Sequence, residues 1–208
     1  MYRFALIILL LALADPAIAE ELCSYQTYTW NTIEKKAVNH ETINKPYAEL
    51  NDDEVDAFTG CSVCEQDQRS IILPPLKPFK ACHILAPRIE IVIENLIRQG
   101  EAIDSVIGYR VGKTRGDVDR DGNRTRFSNH SFGVAIDLNP RQNGLYDNCI
   151  RFNPSCRLIR GGHWNPDNEG SIKADGVIVG AMEDLGLKWG GQILGKQKDF
   201  MHFSPTGY

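Results

Sequence analysis

The sequence predicts an α+β fold, in which a small antiparallel sheet is flanked by few helices. Two segments favour helices: one follows Pro87, where apolar residues recur at helical spacing, and the other covers residues 174–185. Three short segments favour strands, at residues 105–110, 132–138 and 200–203. We find no internal repeat or coiled-coil pattern, and the length suits a single core.

Residues 1–19 have the pattern of a secretory signal peptide. Arg3 precedes an apolar run from Phe4 to Ala14, and Ala17-Ile18-Ala19 is a small-x-small cleavage signal. The run is too short to span a bilayer comfortably, so we expect no membrane anchor after cleavage. Cleavage would remove one base, Arg3, and one acid, Asp15, so the mature chain keeps the net charge of −4.

Residues 20–84 favour an irregular N-terminal extension tied by disulfides. The chain has six cysteines, an even number, and export makes disulfides the expected state. Cys149 and Cys156 bracket a short loop and are the expected local pair. Three pairings remain open for the other four cysteines, which are Cys23, Cys61, Cys64 and Cys82. A zinc or redox site at Cys61-x-x-Cys64 with Cys82-His83 is the alternative, and export weighs against it.

Residues 85–208 form the predicted catalytic domain. Its helix after Pro87 ends at Gln99-Gly100, because glycine commonly follows a helix C-terminus. The remaining elements in order are a strand at 105–110, a polar loop at 111–129, a strand at 132–138, a Gly/Asn/Pro-rich excursion at 140–172, a helix at 174–185 and a last strand at 200–203.

Two short motifs carry the chemistry. His130 and Asp137 lie seven residues apart on a turn that enters a strand, and Asp199 precedes His202 by three residues. Two imidazoles and one carboxylate are three ligands for a catalytic zinc, which keeps a fourth position open. The second acid is then available as a general base.

Charge excludes a nucleic-acid partner. The net charge is −4, and no basic stripe of the kind that binds phosphates is present. We expect a monomer.

The motif His130-x-x-Gly133-x-Ala135-x-Asp137, followed by Trp189-Gly190-Gly191 and Asp199-x-x-His202-Phe203, resembles a known family. It is similar to the D-alanyl-D-alanine carboxypeptidase and L-alanyl-D-glutamate endopeptidase family of zinc peptidases, the VanY-like group. The resemblance covers about residues 85–205. It implies the fold shared with the hedgehog signalling domain.

The resemblance implies a role for each motif residue. His130, Asp137 and His202 would bind one zinc ion, Asp199 would be the catalytic acid, and Arg110 would bind substrate. We also expect Ser128 and Trp189 to contact substrate. The alternatives are an Asp199 that only orients a ligand histidine, a Trp189 that packs in the core and an Arg110 in an ordinary surface ion pair.

Asp117, Asp119 and Asp121 copy the first half of a calcium-binding loop. The twelfth position of such a loop, normally a bidentate glutamate, is Ser128, so we expect weak or no Ca²⁺ binding. The preferred interpretation is an exposed turn whose arginines face an anionic substrate. Those arginines are Arg120, Arg124 and Arg126.

These patterns predict a secreted, periplasmic zinc metallopeptidase acting on peptidoglycan stem peptides, a substrate class implied by the resemblance alone. Three alternatives stay open. They are a zinc peptidase for other short peptides, a non-catalytic zinc-containing binding module and a calcium-dependent surface adhesion domain. The sequence leaves open which bond is cut and whether cleavage is internal or terminal.

Overall fold

The structure is a computed structural model that describes residues 21–208. The predicted signal peptide, residues 1–19, lies outside the described residues. Two α-helices and thirteen strands in four small sheets make residues 21–208 an α+β structure, which confirms the predicted class. Within this range no helix is both long and apolar enough to cross a bilayer.

The elements follow one another through mostly short connections. In chain order they are β1 (Leu22–Asn31), β2 (Lys36–Pro46), β3 (Gln68–Ile71), β4 (Phe79–Cys82), α1 (Ala86–Arg98), β5 (Val106–Ile107), β6 (Lys113–Val118), β7 (Arg124–Phe127), β8 (Ile136–Leu138), β9 (Leu145–Asp147), β10 (Arg157–Arg160), α2 (Val177–Glu183), β11 (Lys188–Trp189), β12 (Lys198–Asp199) and β13 (His202–Ser204).

The N-terminal part is more regular than the sequence predicted. β1 and β2 form a long antiparallel hairpin, and β1 also contacts β6 in parallel at Thr29 and Lys113. The predicted polar loop at 111–129 contains a second hairpin, β6–β7, which completes a sheet of order β2-β1-β6-β7. Both hairpins are polar on much of their surface, so they lack the apolar alternation that reveals strands in a sequence.

One hydrophobic cluster joins the N-terminal part to the rest of the chain. Residues on both sides of the expected boundary at 84/85 are buried together in it, and they are Cys23, Tyr25, Cys61, Val63, Cys64, Cys82, Val111, Phe132 and Val134. The hairpin of β1 and β2 is therefore packed against the segment that precedes β8.

Two disulfides lie within this cluster, and a third lies within the later excursion at 140–172. Cys23 is bonded to Cys64, Cys61 to Cys82, and Cys149 to Cys156. All six cysteines, which lie within residues 21–208, are thus bonded. Cys61, Cys82 and His83 of the alternative zinc or redox site do lie close together. Its cysteines are in disulfides, however, so they provide no thiolate for a metal, and Cys61 and Cys64 are not bonded to each other as in a redox motif.

A four-stranded sheet of order β11-β13-β8-β5 lies at the centre of the larger core. The predicted helix after Pro87 is confirmed as α1, which ends at Arg98 and buries Ile89, Ile93 and Leu96 along one face. The second predicted helix is shorter than 174–185, because Lys173 and Gly176 form a turn before α2 begins at Val177.

We expect the Cys149–Cys156 bond to stabilise the excursion at 140–172. Replacing both cysteines by serine should lower the free energy of unfolding by about 2 to 3 kcal/mol, because the bond closes a short loop in the unfolded chain. Urea unfolding of the double variant and of the wild type measures the difference. Peptide mapping of the unreduced wild type supplies the control for pairing, and unchanged stability would contradict this role.

Candidate active site

Strand pairing brings two of the three predicted zinc ligands together. Asp137 on β8 lies directly opposite His202 on β13 in the antiparallel ladder, so their side chains share one face of the sheet. His202 Nδ1 lies 3.0 Å from Asp137 Oδ1. The two separate motifs therefore meet through backbone register.

A tight turn supplies the third predicted ligand. His130 lies on a 3-10 helix, Asn129–Phe132, that ends at Gly133 with φ of +67°. A Cβ at Gly133 would lie 2.0 Å from Gln68 Oε1 and 2.5 Å from the backbone nitrogen of Cys82. Only glycine fits this position, both because of its left-handed conformation and because of the close packing.

A backbone hydrogen bond orients the His130 ring. Its Nδ1–H donates to the Gly108 carbonyl at 2.8 Å, which leaves Nε2 facing Asp137 Oδ1 at 3.0 Å. Hydrogen bonds of this kind fix the tautomer of metal-binding histidines. Gly108 follows β5, which pairs with β8, so the same sheet positions the ligand and its orienting carbonyl.

The donor atoms of His130, Asp137 and His202 fit a zinc ion. All three residues are buried, and their ligand atoms lie within 4.8 Å of one another. Two ligands that are each about 2.0 Å from a tetrahedral zinc lie about 3.3 Å apart, close to the 3.0 Å separations from Asp137 Oδ1. Two nitrogens and one carboxylate oxygen are also the donor types that zinc prefers.

The charge states of these side chains are compatible with metal binding. Burial lowers the pKa of His130 despite the opposing charge of Asp137, which favours the neutral imidazole. Burial disfavours the charge on Asp137, but its contacts with His130 and His202 outweigh burial and hold the pKa of Asp137 well below its usual range. Burial likewise disfavours charge on His202, yet its bond to Asp137 raises the His202 pKa, so a metal would displace a proton there.

Asp199 on β12 lines the same cleft as the three candidate ligands. Its side chain is half-buried, and its Oδ1 has no hydrogen-bond partner among the described residues. Burial and the charge of Asp137 raise the pKa of Asp199 to about 6, against the opposing effect of His202. Gly190 lets the backbone approach, since a Cβ there would lie 2.5 Å from the Asp199 carbonyl oxygen. A carboxyl group that titrates near neutral pH in a cleft suits proton transfer.

Arg110 and Ser128 also line the cleft. The Arg110 Nη2 donates to Asp137 Oδ2 at 3.3 Å, so this side chain contacts a candidate ligand. Ser128 is 6 % exposed and lies at the start of the turn that carries His130. The alternative of an ordinary surface ion pair for Arg110 does not describe this contact, because the partner carboxylate is buried.

Trp189 does not line the cleft, although the sequence analysis placed it among the substrate contacts. It is 3 % exposed, and its indole N–H donates to the Phe200 carbonyl at 2.8 Å. Its backbone pairs with Phe203 on β13. Trp189 thus packs in the core, the role that the sequence analysis gave as the alternative to substrate contact.

The cleft has a volume of about 680 Å³ and is built from several elements. Arg160 and Ile159 on β10 line it, whereas His163 does not and instead has its Nδ1 3.4 Å from the Tyr146 hydroxyl. Lining residues that the sequence analysis missed are Tyr28, Trp30, Ala37, Thr114, Arg115, Leu145, Ile193, Gln197, Met201 and Tyr208. One pattern in the sequence could have predicted the strand that carries Tyr28 and Trp30. Residues 25–30 are rich in Tyr, Thr and Trp, a composition typical of strands.

The segment with the calcium-loop pattern forms the turn between β6 and β7. Asp119 Oδ1 accepts hydrogen bonds from the backbone N–H groups of Asp121 and Asn123, at 2.9 and 2.8 Å. The turn packs on the β1–β2 hairpin, where Asn31 donates to the Asp121 carbonyl. Of the three arginines expected to face a substrate, only Arg124 lines the cleft.

The pKa of Asp199 predicts an unusual pH dependence for the metal-free protein. The folded state binds the Asp199 proton more tightly than the unfolded chain, so this group stabilises below pH 4 and loses that contribution as pH rises through 6. Asp199→Asn should therefore gain stability relative to wild type between pH 4 and 7, by at most about 3 kcal/mol.

Chelator-treated proteins unfolded in urea at several pH values give this measurement. Asp175→Asn, which changes an exposed carboxylate outside the cleft, is the matched control and should show no such trend. A constant difference between Asp199→Asn and wild type across this range would contradict the raised pKa.

Residues 121–205 match a family model described as D-alanyl-D-alanine carboxypeptidase. The matched region contains all three candidate ligands and Asp199, whereas Arg110 lies outside it. Comparisons with curated proteins and with solved structures found no match. The resemblance indicated by the paired motifs is therefore confirmed over residues 121–205, which are similar to this family of peptidases.

Proposed function

We propose that this protein is a secreted zinc metallopeptidase that hydrolyses peptide bonds in peptidoglycan stem peptides. The observation that carries the proposal is the convergence of His130, Asp137 and His202 in a cleft that Asp199 also lines. The family match supports a peptidase that acts on substrates of the peptidoglycan type. D,D-carboxypeptidase and L-alanyl-D-glutamate endopeptidase activity are the two forms of this proposal.

The side chains divide the chemistry among them. His130 and His202 would hold zinc through ring nitrogens and Asp137 through a carboxylate oxygen. A zinc ion with three protein ligands supplies polarisation of a peptide carbonyl and lowers the pKa of water. Asp199 takes the proton of the attacking water and delivers it to the leaving amine. Its pKa of about 6 suits both steps, because the carboxyl group can accept and release a proton near neutral pH.

Arg110 is proposed to bind a substrate carboxylate. One of its N–H groups contacts Asp137, and the rest of this half-buried guanidinium lies along the cleft. A guanidinium has five donors in a fixed fork, so it can hold a ligand carboxylate while it keeps Asp137 in place. Ser128 is proposed to contact the substrate from the turn that carries His130.

The proposal includes export to the bacterial periplasm and a hedgehog-type arrangement of the fold. The pattern of residues 1–19 and the three disulfides support export. A small sheet that carries a His-Asp-His group within an α+β structure supports the arrangement.

Two other functions differ from this one in what they do to a peptide. A non-catalytic zinc-containing module would bind stem peptides without cutting them, and a zinc peptidase of other specificity would cut unrelated short peptides. The unpartnered carboxylate oxygen of Asp199 in the cleft favours an enzyme over a binding module.

Mass spectrometry of defined muropeptides after incubation with the zinc-loaded mature protein tests the proposal. Loss of a terminal D-alanine would identify a carboxypeptidase, and separation of L-alanine from D-glutamate would identify an endopeptidase. Unrelated peptides of equal length serve as controls. Binding without cleavage of any muropeptide would overturn the proposed function in favour of a binding module.

The zinc assignment predicts a specific metal loss. His202→Ala should lower zinc content from one ion per chain and abolish turnover, because it removes one of three protein ligands. Elemental analysis and a muropeptide assay measure the two effects. His163→Ala, which removes an exposed histidine outside the cleft, should keep both. Full zinc content in His202→Ala would refute the ligand assignment.

The proton-transfer role of Asp199 predicts loss of rate without loss of metal. Asp199→Asn keeps the size of the side chain but removes its basic oxygen, so kcat should fall by about 10² to 10⁴ while zinc content stays at the wild-type level. Asp175→Asn is the matched control. Near-normal turnover would mean that Asp199 only orients a ligand histidine.

A further inference from the structure

The candidate active-site cleft extends beyond the zinc-ligand group onto the N-terminal hairpin. Tyr28 and Trp30 on β1 both line the cleft, and Trp30 is 37 % exposed. Two residues apart on a strand, they lie on one face of it. The partner of Trp30 across the hairpin is Ala37, whose small side chain leaves the indole uncovered. Tyr28 lies in a β-bulge between Thr27 and Thr29, and bulges change the direction of the side chains in and after them.

The hairpin is firmly held at its other end. Cys23 on β1 is bonded to Cys64, and Cys61 is bonded to Cys82 nearby in the same buried cluster. Glu54 is buried, accepts a hydrogen bond from the Tyr25 hydroxyl and pairs with Lys45 Nζ at 2.5 Å. Thr29, between Tyr28 and Trp30, pairs with Lys113 on β6, so this part of β1 is held against the neighbouring hairpin and forms one wall of the cleft.

The neighbouring hairpin adds positive charge to this wall. Arg115 on β6 and Arg124 on β7 are half-buried and line the cleft. Among residues 21–208, neither forms an ion pair with the side-chain carboxylate of an Asp or Glu. Arg124 donates a hydrogen bond to the neutral carbonyl group of Gly116, and Arg115 donates one to the backbone oxygen of Tyr208.

The balance of charge in the cleft favours an anionic ligand. Its lining among the described residues contains four arginines, Arg110, Arg115, Arg124 and Arg160, and two carboxylates. One carboxylate, Asp137, is occupied by histidines and Arg110. The half-buried guanidinium of Arg124 has no carboxylate partner, and pairing with a ligand carboxylate would offset the cost of its partial burial.

We propose that Tyr28, Trp30, Arg115 and Arg124 form a second substrate subsite, which binds a carboxylate-bearing part of the peptide away from the bond that is cut. The arginines hold the carboxylate, and the two aromatic rings pack against the apolar part of the same residue. This subsite rests on the proposed function, because the stem peptide is its ligand. It assigns the N-terminal hairpin a role in specificity, outside the region that matches the family.

Kinetics with a set of stem peptides test the subsite. Each peptide has a single carboxylate converted to an amide, and the unmodified peptide is the reference. Arg124→Gln should raise KM about tenfold for the reference with little change in kcat, because it removes a charge-assisted bond made before and during reaction. The effect should disappear for one amidated peptide, the one that already lacks the carboxylate held by Arg124. Trp30→Ala should raise KM for all the peptides.

Arg120→Gln is the matched control, since Arg120 is an exposed arginine in the same β6–β7 turn and does not line the cleft. It should leave KM and kcat unchanged. Circular dichroism and zinc content verify that each variant is folded and loaded. An equal loss for every peptide in Arg124→Gln, or no loss for any, would overturn the subsite.

A failure of the proposed function gives a different result from a failure of the subsite. If the wild type cleaves no stem peptide, calorimetry with the reference and amidated peptides replaces the kinetic assay. Arg124→Gln must then weaken binding of the reference about tenfold and spare one amidated peptide. Equal binding by wild type and Arg124→Gln would overturn the subsite in that case also.

Discussion

The geometry of the candidate active site depends on the buried carboxylate of Asp137. Its Oδ1 lies 3.0 Å from both His130 Nε2 and His202 Nδ1, and its Oδ2 lies 3.3 Å from Arg110 Nη2. A carboxylate in this position is costly unless it is paired. Its three partners come from a turn, a strand and a segment after β5, so one side chain sets the relative positions of three parts of the chain.

Backbone pairing makes this arrangement precise. β8 lies between β5 and β13, and Asp137 is paired with Ile107 on one side and with His202 on the other. A slip of one residue between β8 and β13 would turn one of the two side chains to the opposite face of the sheet. The packed core beneath the sheet, which includes Trp189 and Phe203, opposes such a slip because it would expose apolar side chains. Trp189 thus supports the site from below without contacting the cleft.

The cleft around the His-Asp-His group is lined by residues from two parts of the chain, one inside and one before the region that matches the family. Residues 121–205, which match the peptidase family, contain the His-Asp-His group and Asp199. Arg110, Arg115 and the aromatic pair Tyr28 and Trp30 lie before that region, yet they line the same cleft. The disulfides Cys23–Cys64 and Cys61–Cys82 cross-link the N-terminal part, and the buried cluster around them packs against Phe132 and Val134 of this region. We infer that residues before the matched region take part in substrate binding together with Arg124 inside it, whereas the His-Asp-His group and Asp199 lie entirely within it.

Local patterns in the sequence determined the α+β class, helix α1 and the composition of the His-Asp-His group. Each depends on residues close together in the chain. The helix depends on the spacing of its apolar residues, and the site depends on two motifs: His130 seven residues before Asp137, and His202 three residues after Asp199. The tertiary structure alone decided the pairing of the four N-terminal cysteines, the hairpins at 22–46 and 113–127, the burial of Trp189 and the contact of Arg110 with Asp137. These features depend on the register and packing of segments far apart in the chain, and polar hairpins carry little apolar periodicity to reveal them. The sequence therefore specified which chemical groups the protein has, and long-range strand pairing specified where they meet.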